Sequence, residues 1–110
     1  MHPRALLAVT LLLLAFLAPN AYAEADELKN ISQLIGRKQY SEAAASLDSH
    51  LSAHPQDIHG QFLKGVILSE QKNTAEATRI FSDLIAKHPS WPEPYNNLAV
   101  IYASQGQYER

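Results

Sequence analysis

Five histidines are the residues best suited to chemistry in this 110-residue chain, which has no cysteine. His50 and His54 are four apart and would share one helix face, with Asp57 and His59 just beyond. Imidazoles and a carboxylate so spaced can begin a zinc site, but zinc needs three or four ligands converging on one point. Only Asp57 or His59 could complete the set. The same histidines have a plainer use. His54 and His88 each precede a proline, at the C-terminus of a helical pattern, where an imidazole can face the last carbonyls and the helix dipole. No metal and no cofactor is therefore expected. Catalytic patterns are also missing from the sequence: it has no Gly-rich phosphate loop, no nucleophile elbow and no Cys nucleophile. Glu70, Glu76, Asp83 and Glu93 read as solvated charges, and the chain is not expected to be an enzyme.

The elements that carry these residues are amphipathic helices. Leu28, Ile31, Leu34 and Ile35 recur at helical spacing behind Asp26, a candidate N-cap, which predicts a helix over 26–37. Ala43, Ala44, Leu47 and Leu51 form the next stripe behind Ser41, and Pro55 ends it. Asp57 is placed to cap a third helix whose Phe62, Leu63, Val66, Ile67 and Leu68 are so dense that it needs neighbours on both sides. Gly65 in its middle implies a close helix crossing, expected through Ala77. After the turn at Gln71, Lys72 and Asn73, Thr74 is the candidate cap of a helix buried through Ile80, Phe81, Leu84 and Ile85. A last helix should start near Pro94, or else Pro92, with Tyr95, Leu98, Ala99 and Tyr102 as its packing stripe. Trp91 reads either as packed under its turn or as exposed.

These elements repeat. Moving back 34 residues takes Pro89 to Pro55, His88 to His54, Phe81 to Leu47, Ala77 to Ala43 and Leu68 to Leu34; moving forward takes Gly65 to Ala99 and Leu68 to Tyr102. With Gly65, Leu68, Ala77, Phe81 and Pro89 in their slots, the chain resembles the tetratricopeptide repeat family. The resemblance implies an all-α, right-handed α-solenoid of helix-turn-helix units, here 24–57, 58–91 and an incomplete third over 92–110. The layout also resembles the amino-terminal part of exported proteobacterial repeat proteins. Such a scaffold implies a concave face that binds a peptide or protein, lined by Phe62, Leu63, Val66, Asn96, Asn97 and Val100. Asn97 matches an asparagine that the family often uses to hold a bound peptide backbone; the other reading is a solvent-exposed amide. The cationic clamp of chaperone-binding members is missing, since Leu28, Ser32, Leu63 and Glu93 occupy its other slots.

Ahead of the repeats, Arg4 leads into an apolar run over 5–18 that ends at Pro19 and Ala21-Tyr22-Ala23, the pattern of a signal peptide spanning 1–23. Fourteen residues fall short of the roughly 20 that a spanning helix needs. Export follows, with no stable membrane insertion after cleavage, and the resemblance implies a bacterial periplasm; secretion, or anchorage by an uncleaved leader, is the alternative. Loss of Arg4 leaves eight basic against eleven acidic side chains, which disfavours nucleic acid as a partner. The expected function is thus that of an exported interaction module. The alternatives are a docking segment of an envelope enzyme whose catalytic domain lies beyond Arg110, and a self-associating module that uses the incomplete third unit. Mass spectrometry of the exported protein should find Glu24 at its N-terminus; an intact leader there would overturn the cleavage reading.

Overall fold

The computed structural model describes residues 21–106, which form five helices: α1 (Ala21–Gly36), α2 (Tyr40–Ala53), α3 (Ile58–Glu70), α4 (Thr74–Lys87) and α5 (Pro92–Ser104). Among the described residues there is no strand, so the chain is all-α. Each helix packs on the next, and α1 also touches α3, as α3 touches α5. A row of α1, α3 and α5 is thereby backed by α2 and α4, a helical, repeat-like architecture. Residues 1–20 and 107–110, which hold the apolar run and Tyr108, lie outside the described residues.

The backbone repeats with the sequence. Lys38, Lys72 and Gly106, successive members of the 34-residue register, all have left-handed φ values of 61°, 67° and 74°. Their N–H groups reach back to the carbonyls of Ile35, Ser69 and Ala103 at 2.9, 3.0 and 3.0 Å. Gln39 and Asn73 close the same turns with bonds to Leu34 and Leu68 at 2.9 and 2.8 Å, the double bonding of a Schellman stop. These turns satisfy their own carbonyls, so the following helix starts at once. Gln39 and Asn73 are the N-caps, without side-chain capping bonds, instead of Ser41 and Thr74; the Thr74 hydroxyl donates back to Lys72 O.

Two other boundaries differ from expectation. Asp26 lies inside α1, because Ala21 to Ala25 contain good helix formers and no breaker. α5 begins at Pro92, and Pro94 is tolerated in its first turn, where the amide it lacks would have no intrahelical acceptor. Asp57 caps α3 as expected, its Oδ1 accepting from His59 N at 3.1 Å.

Two core clusters flank α3. Ile67 joins Ile31, Ala43 and Leu47 on one side, with Leu28, Leu51 and Leu63 against them. Phe62, Val66 and Leu68 pack on the other, against Ala77, Ile80, Phe81, Leu84, Leu98 and Ile101. This is the two-sided burial that the apolar content of α3 requires. On α5, Leu98 is buried and Tyr102 half-buried, but Tyr95 and Ala99 are exposed, unlike the expected stripe, because α3 and α4 meet α5 through Leu98 and Ile101. The Tyr95 hydroxyl donates to Pro89 O at 2.9 Å.

The close approach at Gly65 is real, but its partner is Phe81 rather than Ala77. A Cβ on Gly65 would lie 2.7 Å from Phe81 Cε1 and 2.8 Å from Cζ. The ring is fully buried and cannot swing aside. Gly65→Ala should therefore destabilise by about 1–3 kcal/mol despite the better helix propensity of Ala. Phe81→Ala should cost about 3–5 kcal/mol. Adding Phe81→Leu should recover part of the Gly65→Ala loss in urea denaturation; additive effects of the pair would place the strain elsewhere.

Candidate functional site

α1 and α3 share an open surface built from equivalent positions. Ala25, Leu28, Lys29 and Ser32 of α1, with His59, Phe62 and Leu63 of α3, line an open depression of about 420 Å³. These positions correspond through the 34-residue register: Ala25 to His59, Leu28 to Phe62, Lys29 to Leu63 and Ser32 to Val66. One more step leads to Glu93, Asn96, Asn97 and Val100 on α5. The depression thus has an apolar floor of Leu28, Phe62 and Leu63, with Lys29 and His59 as its ionisable groups.

Of the residues singled out from the sequence, Phe62 and Leu63 line this depression. Val66 is half-buried against the core on the α4 side of α3. Asn96 and Val100 are exposed on α5, Val100 at 67%, and neither is part of the depression. Asn97 is half-buried, and its amide Nδ2 donates to Glu93 O one turn back at 3.0 Å, so part of its bonding capacity is spent within its own helix. Of the α1 wall, Leu28 and Ser32 were noted only as occupants of clamp slots, although a 34-residue step back from His59, Phe62, Leu63 and Val66 reaches all four of its residues.

Aromatic packing fixes the floor. The Phe62 ring lies tilted against Phe81 at 5.6 Å and against Trp91 at 5.3 Å, while His59 meets Trp91 edge-on at 5.3 Å. Trp91 is half-buried beneath its turn, which decides between the two readings of it.

Behind the α1 wall lies a polar cluster. His50 of α2 is 1% exposed, at the position that Leu84 occupies in the next unit. Its Nε2 is 2.6 Å from Asp57 Oδ2. Its Nδ1 is 3.4 Å from Glu27 Oε1, too loose for a formed hydrogen bond, and has no other partner. The His54 ring stacks at 5.0 Å, with its Nε2 3.4 Å from Glu24 Oε1. Burial works against a charged His50, but the hydrogen bond to Asp57 and the negative charges of Glu27 and Asp57 outweigh it and hold its pKa above the ordinary histidine value. Partial burial alone would raise the Asp57 pKa. The bond from His50 and the N–H groups of His59 and Gly60 instead keep it below the usual carboxylate range.

Among the described residues no group of three His, Asp or Glu side chains is arranged to hold a metal. His59 turns to Trp91, and Asp57 is committed to His50 and to its capping bond. The cluster therefore ties α1, α2 and the start of α3 together. Among the described residues, too, no helix is long and apolar enough to cross a membrane. Comparison of the chain with family models, with curated proteins and with solved structures finds no match.

Asp57→Ala removes both a helix cap and the partner of a buried imidazole, and should cost about 2–4 kcal/mol near neutral pH. His50 has a raised folded pKa, so its contribution is complete below its unfolded pKa and is lost as pH rises through the folded value. Asp57 has a lowered one, so its contribution holds above its unfolded pKa and is lost as pH falls through the folded value. In urea denaturation the Asp57→Ala loss should shrink on the alkaline side, where the neutral imidazole keeps its hydrogen bond to Asp57 but loses the attraction between charges. A loss that is constant from acid to alkaline pH would mean that His50 is neutral throughout.

Proposed function

We propose that this chain is an exported, tetratricopeptide-like α-solenoid that captures an extended peptide segment of a partner protein on the face of α1, α3 and α5, with no catalysis of its own. The observation that carries this reading is the depression over Leu28, Phe62 and Leu63, an apolar floor left open between helices whose backs are already packed. A concave site with an apolar floor is the place where a partner's side chain could insert. The recurrence of left-handed turns at Lys38, Lys72 and Gly106 supports the solenoid part, since identical turns at a fixed period stack identical units. Export rests on the leader pattern over 1–23 and periplasmic residence on the resemblance.

Binding would depend on a few well-packed anchors. Side chains of the peptide would insert between Leu28 and Leu63 over the Phe62 ring, and Asn96, Asn97 and Val100 would extend the face along α5. The amide oxygen of Asn97 can accept a peptide N–H while its nitrogen stays bonded to Glu93 O. Such recognition reads an apolar pattern and the backbone rather than one defined sequence.

A photo-crosslinking residue at the exposed Ser32, in the depression, should capture partners in the cell that one at the exposed Ser82 of α4 does not. Leu63→Ser should weaken their binding by about 1–2 kcal/mol, and Val100→Asp measurably, whereas Glu76→Ala and Arg79→Ala should leave it unchanged. Equal capture from Ser82, or full affinity in a folded Leu63→Ser protein, would move the binding surface elsewhere. Capture of a second copy of the chain would favour self-association instead.

A further inference from the structure

We propose that His50, held between Asp57 and Glu27, is a proton-operated clasp that fixes the N-terminal half of α1 and thereby controls one wall of the groove, a regulatory role that rests on the peptide-capture reading above. Both ring nitrogens face carboxylate oxygens, Nε2 at 2.6 Å and Nδ1 at 3.4 Å. An ionised carboxylate can only accept, and only the imidazolium, with an N–H on each nitrogen, can donate to Asp57 while pairing by charge with Glu27. Neutral His50 must turn a lone pair towards one of the two carboxylates, in a place that is 1% exposed.

The two links are unequal. Asp57 is 21% exposed and is also held by the His59 amide at 3.1 Å, so the neutral imidazole keeps its one proton on Nε2, bonded to Asp57. Glu27 is 43% exposed and can turn to water. Deprotonation therefore releases α1 while the connection between α2 and α3 stays closed. The groups around His50 are Glu27 and, through His54, Glu24 from α1; His54 from α2; and Asp57 from the connection. From α3 comes Gly60, where a Cβ would lie 3.2 Å from the His50 ring. The pair of His54 and Glu24 is more exposed, at 37% and 50%, and so is screened by solvent. Ile31, fully buried, anchors the other half of α1. Ala25 and Leu28, which wall the groove, lie on the half that the clasp holds, and Lys29 and Ser32 on the half that Ile31 anchors.

The test is amide hydrogen exchange of the protein between about pH 5.5 and 8.5, corrected for the intrinsic pH dependence of exchange, with α1 compared with α4. Protection of the first half of α1 should fall about threefold to tenfold more than that of α4 as pH rises through the His50 titration, itself followed by NMR of the imidazole. Glu27→Gln should abolish this difference, and His50→Gln should hold α1 in one state at every pH. Equal pH responses of α1 and α4, or an unchanged response in Glu27→Gln, would overturn the clasp. A blocked Leu-rich decapeptide, followed by Trp91 fluorescence, separates this result from the groove reading. Affinity that falls along with α1 protection supports the clasp, and affinity independent of pH while α1 loosens overturns its control of the groove. If the peptide fails to bind at any pH although α1 responds, it is the groove reading that fails.

Discussion

The contact between Gly65 and Phe81 sets the distance on which the packing of the second unit depends. With no Cβ at Gly65, the α3 backbone comes close against the fully buried Phe81 ring, Phe62 packs on that ring, and Trp91 packs on Phe62. Because the crossing brings α3 so near α4, the apolar residues of α3 are divided between two clusters. Ile67 and Leu63 turn to the α1–α2 side, and Phe62, Val66 and Leu68 to the α4–α5 side. The floor of the groove is thus the outer surface of a packed wall and not a loose set of side chains. Pre-packed surfaces of this kind lose less entropy when they bind.

The first unit solves the same packing problem differently. Where Leu84 fills the second unit, His50 fills the first, so an apolar contact is exchanged for a polar one that must find partners or cost several kcal/mol. Asp57 serves both purposes, since one oxygen takes the imidazole while the other caps α3. Gly60 leaves room for the ring, at the register position where the next unit buries Pro94. The result is a junction in which the N-terminal half of α1 answers to one proton while Asp57 keeps hold of the start of α3, whereas the equivalent junction around Leu84 is apolar.

The surface over α1, α3 and α5 follows from these two arrangements. Equivalent positions of successive units present Ala25 beside His59, Leu28 beside Phe62 and Lys29 beside Leu63, so the face is apolar near its centre and becomes more polar towards Asn96 and Asn97. Its character is set by the substitutions that distinguish the units, on a backbone that the left-handed turns keep the same from one unit to the next.

The sequence by itself determined the all-helical class, the order and approximate limits of the helices, the 34-residue register, the Asp57 cap and the two-sided burial of α3. These are properties of local periodicity and of residues such as Pro, Gly and Asp that act on their own backbone. Gly65 announced a close approach, but not what approached it: helical spacing gives the face a residue occupies, while the depth to which a facing ring reaches depends on how two helices cross. The caps at Gln39 and Asn73 were hidden because the preceding turn satisfies itself through its backbone, so no side-chain type marks them. His50 was legible as a possible ligand and not as a buried base between two acids, since Glu27 lies 23 residues away in the chain and comes within 3.4 Å only when α1 packs on α2. Tertiary structure decided that pairing, and with it the raised pKa of His50, because burial and the position of opposing charges are set by packing rather than by neighbours in sequence.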